Sequence, residues 1–193
     1  RLIARIAPAV AKAAMDSGVA TRPIADLEAY AEKLTEFVYK TSLFMRPVFN
    51  QARKDIKRIV LTEGEDERVL HAAQQVVSQK LAFPILVGDA KLIEERLHSQ
   101  GLTIQPGKDF ELINIKNSPY YEASWKEYYN LRKRKGVTEE MARRRLKANS
   151  TLVGALLVRL GHADGLVCGT MGRFHDHFAV MEEVIGYNNP EKE

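Results

Sequence analysis

Arg58-Ile59-Val60-Leu61-Thr62-Glu63-Gly64-Glu65-Asp66-Glu67-Arg68-Val69-Leu70 is the stretch on which the fold class turns. Arg58 to Leu61 form a short β-branched run that breaks at Glu63-Gly64, the pattern of a buried strand. Val69, Leu70, Ala73, Val76 and Val77 then recur at helical spacing. Asp66 is placed to cap that helix. The same alternation continues downstream. Phe83 to Val87 reads as a second strand, and Gly88-Asp89 leads into a helix through Leu92, Ile93 and Leu97. Leu112-Ile113-Asn114-Ile115 reads as a third strand. Two or three helices are predicted next: one around Tyr121, Trp125 and Tyr128, a basic one from Met141 to Leu146, and an apolar one from Thr151 to Leu160. Gly161 closes the last of them. Gly165-Leu166-Val167-Cys168 is a fourth strand, leading into a helix with Phe178, Met181 and Val184. Strands alternating with helices of this length imply right-handed crossovers, hence an α/β fold with a mostly parallel sheet and helices on both faces.

Upstream of Lys57 the reading is helical throughout. Pro8 suits the first turn of a helix from Ala9 to Asp16, with Ser17-Gly18 as its stop. Asp26 caps a second helix whose Leu27, Tyr30, Leu34, Phe37 and Val38 share a face. Phe44, Met45, Val48 and Phe49 repeat the spacing in a third. The expected organisation is a helical segment at 1–42, a connector helix at 43–56 and the α/β part at 57–193. An opening at Arg1 and a close at Glu193, amid polar residues just after a helix, suggest a piece of a longer chain with its sheet unfinished.

Composition narrows the setting. The chain is 45% hydrophobic and 28% charged, which suits a soluble globular protein. No apolar run is long enough for a membrane span. Cys168 is the single cysteine, so no intrachain disulfide can form and a reducing cytoplasm is the expected home. A net charge of +4 permits anionic ligands without demanding nucleic acid. Arg132-Lys133-Arg134-Lys135 and Arg143-Arg144-Arg145 raise the nucleic-acid question again, but no known motif accompanies them. A solvated helix face or a contact with an acidic subunit fits them better, and the phosphates of a large cofactor are a third option.

Two loops could carry chemistry. Thr62 to Arg68 follows the first strand, at the end of a parallel sheet where free helix N–H groups gather. There Gly64 permits close backbone approach and Arg68 could meet a phosphate or carboxylate; alternatively the acidic run only complements the helix dipole. Cys168-Gly169-Thr170-Met171-Gly172-Arg173 follows the fourth strand. Its glycines, hydroxyl and arginine make either an oxyanion or phosphate cradle or a tight structural turn. It is no P-loop, since the lysine and the spacing are missing. His175 and His177 sit two apart, which on a helix points them to different sides and argues against a shared metal ion. Cys168 lacks the electropositive setting of a nucleophile.

Taken together the segments resemble the hybrid malic enzymes. Ile6-Ala7-Pro8-Ala9-Val10-Ala11 and Met15-Asp16-Ser17-Gly18-Val19-Ala20 are similar to the end of the catalytic region of bacterial malic enzymes, and Leu34 to Lys40 to the connector that follows. Arg58-Ile59-Val60-Leu61 with Glu63-Gly64-Glu65 and Arg68-Val69-Leu70 is similar to the opening of phosphotransacetylases. Ala163-Asp164-Gly165-Leu166-Val167-Cys168-Gly169-Thr170 is similar to a second signature of that family. The resemblance implies a parent that oxidatively decarboxylates malate to pyruvate with NADP and a divalent metal (Mg or Mn), both held outside this segment, so no catalytic or metal-binding residue is expected here. It implies a homo-oligomer with small-molecule ligands and neither nucleic acid nor membrane as partner. It also implies that 57–193 is the first half of a phosphotransacetylase-like domain serving regulation or assembly, with acetyl-CoA as effector. Glu63, Gly64, Arg68, Gly169, Thr170 and Arg173 are the residues expected near acetyl-CoA or phosphate. The run Cys168 to Arg173 is bulkier and more basic than the Ser-Gly-Ala pattern of active phosphotransacetylases, which argues against acyl transfer. An active phosphate acetyltransferase and a purely structural assembly module stand as the alternatives.

Overall fold

Four parallel strands in the order β3-β2-β1-β4 form the sheet: β1 (Lys57–Leu61), β2 (Ala82–Val87), β3 (Glu111–Ile113) and β4 (Gly165–Val167). The computed structural model describes residues 2–38, 40–114 and 117–186. Ile115, expected in the third strand, lies outside them, as do the side chains of Phe37, Val38 and Phe44.

The chain divides into two compact units, Arg1–Gln51 and Ala52–Glu193. The first contains α1 (Leu2–Asp16), α2 (Leu27–Val38) and most of α3 (Lys40–Lys54). Helix α1 begins at Leu2, well before the predicted Ala9, with Pro8 inside it. A proline there removes one backbone donor, and the good helix formers Leu2, Ala4, Arg5 and Ala7 carry the helix through it. The predicted stop holds: Gly18 N–H donates to the Met15 carbonyl at 3.1 Å and Val19 N–H to that of Ala14 at 3.1 Å, the paired bonds of a Schellman end. Asp26 Oδ1 accepts from Glu28 and Ala29 N–H, each at 2.9 Å, and so caps α2 as expected.

In the second unit the strand residues alternate. Val60, Ile85, Val87 and Ile113 face one side of the sheet, and Leu61, Leu86 and Leu112 the other. Helices α4 (Glu67–Ser78) and α5 (Ala90–Ser99) cover the second face with Val69, Leu70, Ala73, Ile93 and Leu97. The first face is covered by α6 (Tyr121–Arg132), α7 (Glu139–Ala148), α8 (Ser150–Arg159) and α9 (Phe174–Val184). Each fully buried Leu or Ile here contributes roughly 1.5–3 kcal/mol. Caps mark the helix starts: Asp66 accepts from Arg68 N–H, Asp89 from Lys91 N–H, Thr138 from Met141 N–H and Asn149 from Leu152 N–H.

Pro84 lies in β2, where a proline forfeits a ladder bond. Pairing with β3 starts only at Ile85, so Pro84 sits beyond that pairing. Helix α8 is buried from Thr151 to Leu157, and Gly154 brings it against β1. A Cβ at Gly154 would stand 2.6 Å from Thr62 Cγ2 and 3.2 Å from Val60 Cγ1.

The basic runs are partly structural, which corrects the expectation of a merely solvated face. Glu183 of α9 accepts from the Tyr128 hydroxyl and from Arg132, each at 3.1 Å, and forms an ion pair with Arg145 at 3.1 Å, tying α6 and α7 to α9. Arg145 also donates to the Tyr128 hydroxyl. Arg143 lies 4.0 Å above the centre of the Trp125 ring. The remaining cations, Lys133, Arg134, Lys135 and Arg144, are exposed. In α9, Val180 and Val184 are buried, while Phe178 is partly exposed and stacks on Phe174 at 5.4 Å.

At the N-terminal ends of the strands Arg58 is held from several directions. Its N–H donates to Asp164 Oδ2 at 2.7 Å and its Nε to the His162 carbonyl at 3.1 Å, and its guanidinium pairs with Glu111. Tyr120 donates to the same Glu111 at 3.1 Å. Asp164 therefore acts at the end of the sheet opposite the loops described next.

Candidate functional site

The strand order reverses beside β1. From β1 the chain steps outward to β2 and β3, then returns across the other face to place β4 on the free side of β1. In open parallel sheets such a switch point, at the carboxyl ends of the strands, is where ligands bind, because the two following loops diverge and leave a crevice. Here the diverging loops are 62–66 and 168–173.

Two adjoining clefts occupy this end, of about 280 and about 340 Å³, and Glu63, Ser150 and Met171 line both. Thr62, Glu65, Asp66, Val87, Gly88 and Arg96 complete the first. Asn149, Thr151, Gly172, Arg173, Asp176 and His177 are among the walls of the second. The N-terminus of the apolar helix α8 thus opens into the crevice.

The loop after β4 is held one residue at a time. Glu63 Oε1 accepts Gly169 N–H at 3.0 Å. Arg68 Nη2 donates to the Thr170 carbonyl at 3.1 Å. His177 Nε2 meets the Met171 carbonyl at 2.7 Å, and its Nδ1 meets Thr151 Oγ1 at 2.8 Å. Gly169 and Gly172 both have φ of +91°, a conformation that L side chains rarely adopt and that frames a backbone concavity between them.

The expected residues therefore divide by what they touch. Glu63, Arg68, Gly169 and Thr170 are brought together by direct hydrogen bonds. Arg173 stands at the rim, 85% exposed, with its Nε 3.1 Å from Asp176 Oδ2. Gly64 belongs to the sheet: its N–H donates to the Val87 carbonyl at 3.1 Å, and a Cβ there would lie 2.9 Å from that oxygen. The close approach it permits is to β2. His177, Thr151, Ser150 and Arg96 escaped the sequence reading. Both ring nitrogens of His177 face protein oxygens, not a metal ion.

Charge at the site is mixed. Arg68 donates to Asp66 twice, Nε to Oδ1 at 3.0 Å and Nη2 to Oδ2 at 2.8 Å. That hydrogen bonding holds the Asp66 carboxyl down at about 2, so the pair stays charged through the neutral and mildly acidic range. Arg96 donates to the Glu65 carbonyl, and Glu65 Oε1 accepts Asp89 N–H at 2.8 Å. Burial and then the Glu63 carboxylate push the Cys168 thiol up, the reverse of what a nucleophile needs. Iodoacetamide is accordingly expected to alkylate Cys168 at pH 7.5 about tenfold more slowly than it alkylates glutathione. Mass-spectrometric kinetics would check this, and alkylation faster than glutathione would contradict the environment described.

Comparison with known proteins agrees with this architecture. Residues 43–192 match the family described as phosphate acetyl/butaryl transferase. The chain is 56% identical over 189 residues to the NADP-dependent malic enzyme of Salmonella typhimurium, a match covering 98% of this chain and 25% of that protein. It is 37% identical over 126 residues to the phosphate acetyltransferase of Helicobacter pylori, covering 65% of this chain and 24% of the other. The chain thus spans about a quarter of the length of these curated relatives. Among solved structures, the EutD phosphotransacetylase from Staphylococcus aureus superposes with a TM-score of 0.67 at 31% identity, over 76% of this chain and 44% of that one. With a family match over residues 43–192 and a superposition on a solved phosphotransacetylase over 76% of its length, the chain belongs to the phosphate acetyl/butaryl transferase family.

Proposed function

We propose that this chain is the phosphotransacetylase-like region of an NADP-dependent malic enzyme, which oxidatively decarboxylates malate to pyruvate and CO2, and that the region is regulatory. One observation carries the reading. The malic enzyme of Salmonella typhimurium matches 98% of the chain, helical segment included, whereas the phosphate acetyltransferase of Helicobacter pylori matches 65%. The helical segment before residue 43 lies outside the transferase family match, so a malic enzyme accounts for more of the chain than a stand-alone transferase does.

NADP and a divalent Mg or Mn ion belong to the parent in this reading, and the described residues do not fit either group. No three His, Cys, Asp or Glu side chains are gathered as metal ligands among them. No glycine-rich dinucleotide fingerprint follows β1, where Thr62-Glu63-Gly64-Glu65 stands instead. The crevice walls carry Glu63, Glu65, Asp66 and Asp176 beside Arg96 and Arg173, so an anionic effector would rest on the arginines and the free backbone donors; acetyl-CoA is the one assigned to it here. The backbone N–H groups of Met171 and Gly172 and the fork of Arg173 offer donors for phosphate or acyl oxygen. Such an effector acts only through a difference in its affinity for two states of the enzyme. A homo-oligomer in the cytoplasm completes the proposal. Among the described residues no helix is long and apolar enough to cross a membrane.

Calorimetry of the full-length protein with acetyl-CoA tests the site. Arg173→Ala is expected to weaken binding about tenfold, the loss of one charge-assisted contact. Unchanged affinity would remove Arg173 from the site, and no binding by the wild type would remove acetyl-CoA as effector. A second reading, an active phosphate acetyltransferase, is favoured by the solved relatives titled phosphotransacetylase. It requires the full-length protein to form acetyl-CoA from acetyl phosphate and CoA.

A further inference from the structure

We infer that His177 is a positioning residue: it fixes the Met171 carbonyl and thereby turns the next backbone N–H toward the ligand. This rests on the reading that the crevice takes an anionic acyl-CoA. A carbonyl only accepts, so the 2.7 Å contact makes His177 Nε2 the donor to Met171. In the neutral ring Nδ1 then carries no hydrogen, and the Thr151 hydroxyl donates to it across 2.8 Å. Thr151 is 2% exposed and anchored in α8, so the imidazole is clamped between a buried helix and the loop. Glu63 Oε1, at 3.8 Å from Nδ1, lies beyond hydrogen-bond range.

The peptide plane converts that clamp into a site. In a trans peptide the C=O and the following N–H point in opposite directions, and the described chain contains no cis peptide bond. Holding the Met171 carbonyl on His177 turns Gly172 N–H away from the protein wall. Holding the Thr170 carbonyl on Arg68, at 3.1 Å, does the same for Met171 N–H. Among the described residues neither of these two N–H groups has a hydrogen-bond acceptor. These two adjacent unpartnered amides, beside Gly172 with its left-handed φ, are the donors we assign to the anion. The closeness of His177 enforces the glycine as well. A Cβ at position 172 would meet Nε2 at 3.1 Å.

The two nitrogens give an experiment that separates positioning from bulk. A Gln amide can reach where Nε2 lies, whereas an Asn amide reaches only the Nδ1 position. In the full-length protein, His177→Ala and His177→Asn are expected to weaken acetyl-CoA binding about tenfold, and His177→Gln to restore it to within about threefold of wild type. A ligand-free readout accompanies this: tryptic cleavage after the exposed Arg173, followed by mass spectrometry. Cleavage should quicken in the Ala and Asn variants and stay near wild type in Gln. Binding and cleavage unchanged in His177→Ala, or Asn rescuing as well as Gln, would overturn the inference. If no variant and no wild type binds acetyl-CoA while cleavage follows the predicted order, the positioning role stands and the ligand assignment falls. Should His177→Ala fail to fold, the Gln and Asn pair decides alone.

Discussion

Gly154→Val is expected to lower the stability of the chain by about 3 kcal/mol or more, at the upper end of what overpacking a core costs. The first added carbon would already stand 2.6 Å from Thr62 Cγ2, and Thr62 is 1% exposed with no room to withdraw. Valine adds two further methyl groups between α8 and β1. Gly154→Ala should cost less, about 1 kcal/mol net, because the clash is partly offset by the roughly 1 kcal/mol that alanine gains over glycine within a helix. Urea unfolding followed by the fluorescence of Trp125, the one tryptophan of the chain, reads both. Thr62 opens the loop to the crevice, so the valine variant should also weaken ligand binding. An alanine variant more stable than wild type would show that Thr62 can rotate aside.

Glu183→Ala is expected to cost about 3 kcal/mol, the range for removing one member of a largely buried ionic network. The Glu183 and Arg132 side chains are each 19% exposed, so the abandoned guanidinium would lack both its partner and full access to water. Arg145 is more exposed and would recover hydration. Glu183→Gln keeps an acceptor and should cost about half as much, since the loss is then mainly of charge. Burial, above all, raises the Tyr128 phenol above its ordinary value. Its neutral form is thus the folded form, and stability should be present below pH 10 and decline as pH rises through the phenol range. The same unfolding measurement at pH 8 and above pH 10 checks the sign. A Glu183→Ala variant as stable as wild type would mean that apolar packing alone holds α6, α7 and α9.

The sequence disclosed what is local. A β-branched run before Glu63-Gly64, the cap at Asp66 and the turn at Gly88-Asp89 each state their structure within a few residues, and the sheet follows from their alternation. Asp26 and Gly18 bound the helical segment for the same reason. What stayed hidden depends on partners distant in the chain. Gly154 looks like an indifferent residue in an apolar helix until Thr62 is placed beside it. Arg132 and Arg145 read as solvent-facing charge because Glu183 lies 51 residues from Arg132. Gly64 invited a ligand on sequence grounds, and only the pairing of β1 with β2 shows Val87 filling that space. The loops that carry Glu63, Arg68, Gly169, Thr170 and Arg173 can be found in the sequence because each follows a recognisable strand. The pairing of His177 with Thr151 cannot, since that contact spans 26 residues and joins helices read separately as core.

Malate-dependent formation of NADPH by the full-length protein, measured with and without acetyl-CoA, is the most direct test of the central claim. The account predicts turnover that acetyl-CoA changes and that depends on the crevice at the ends of β1 and β4. Absence of malate turnover would contradict it and leave the phosphate acetyltransferase reading in its place, while turnover indifferent to acetyl-CoA would remove the regulatory role.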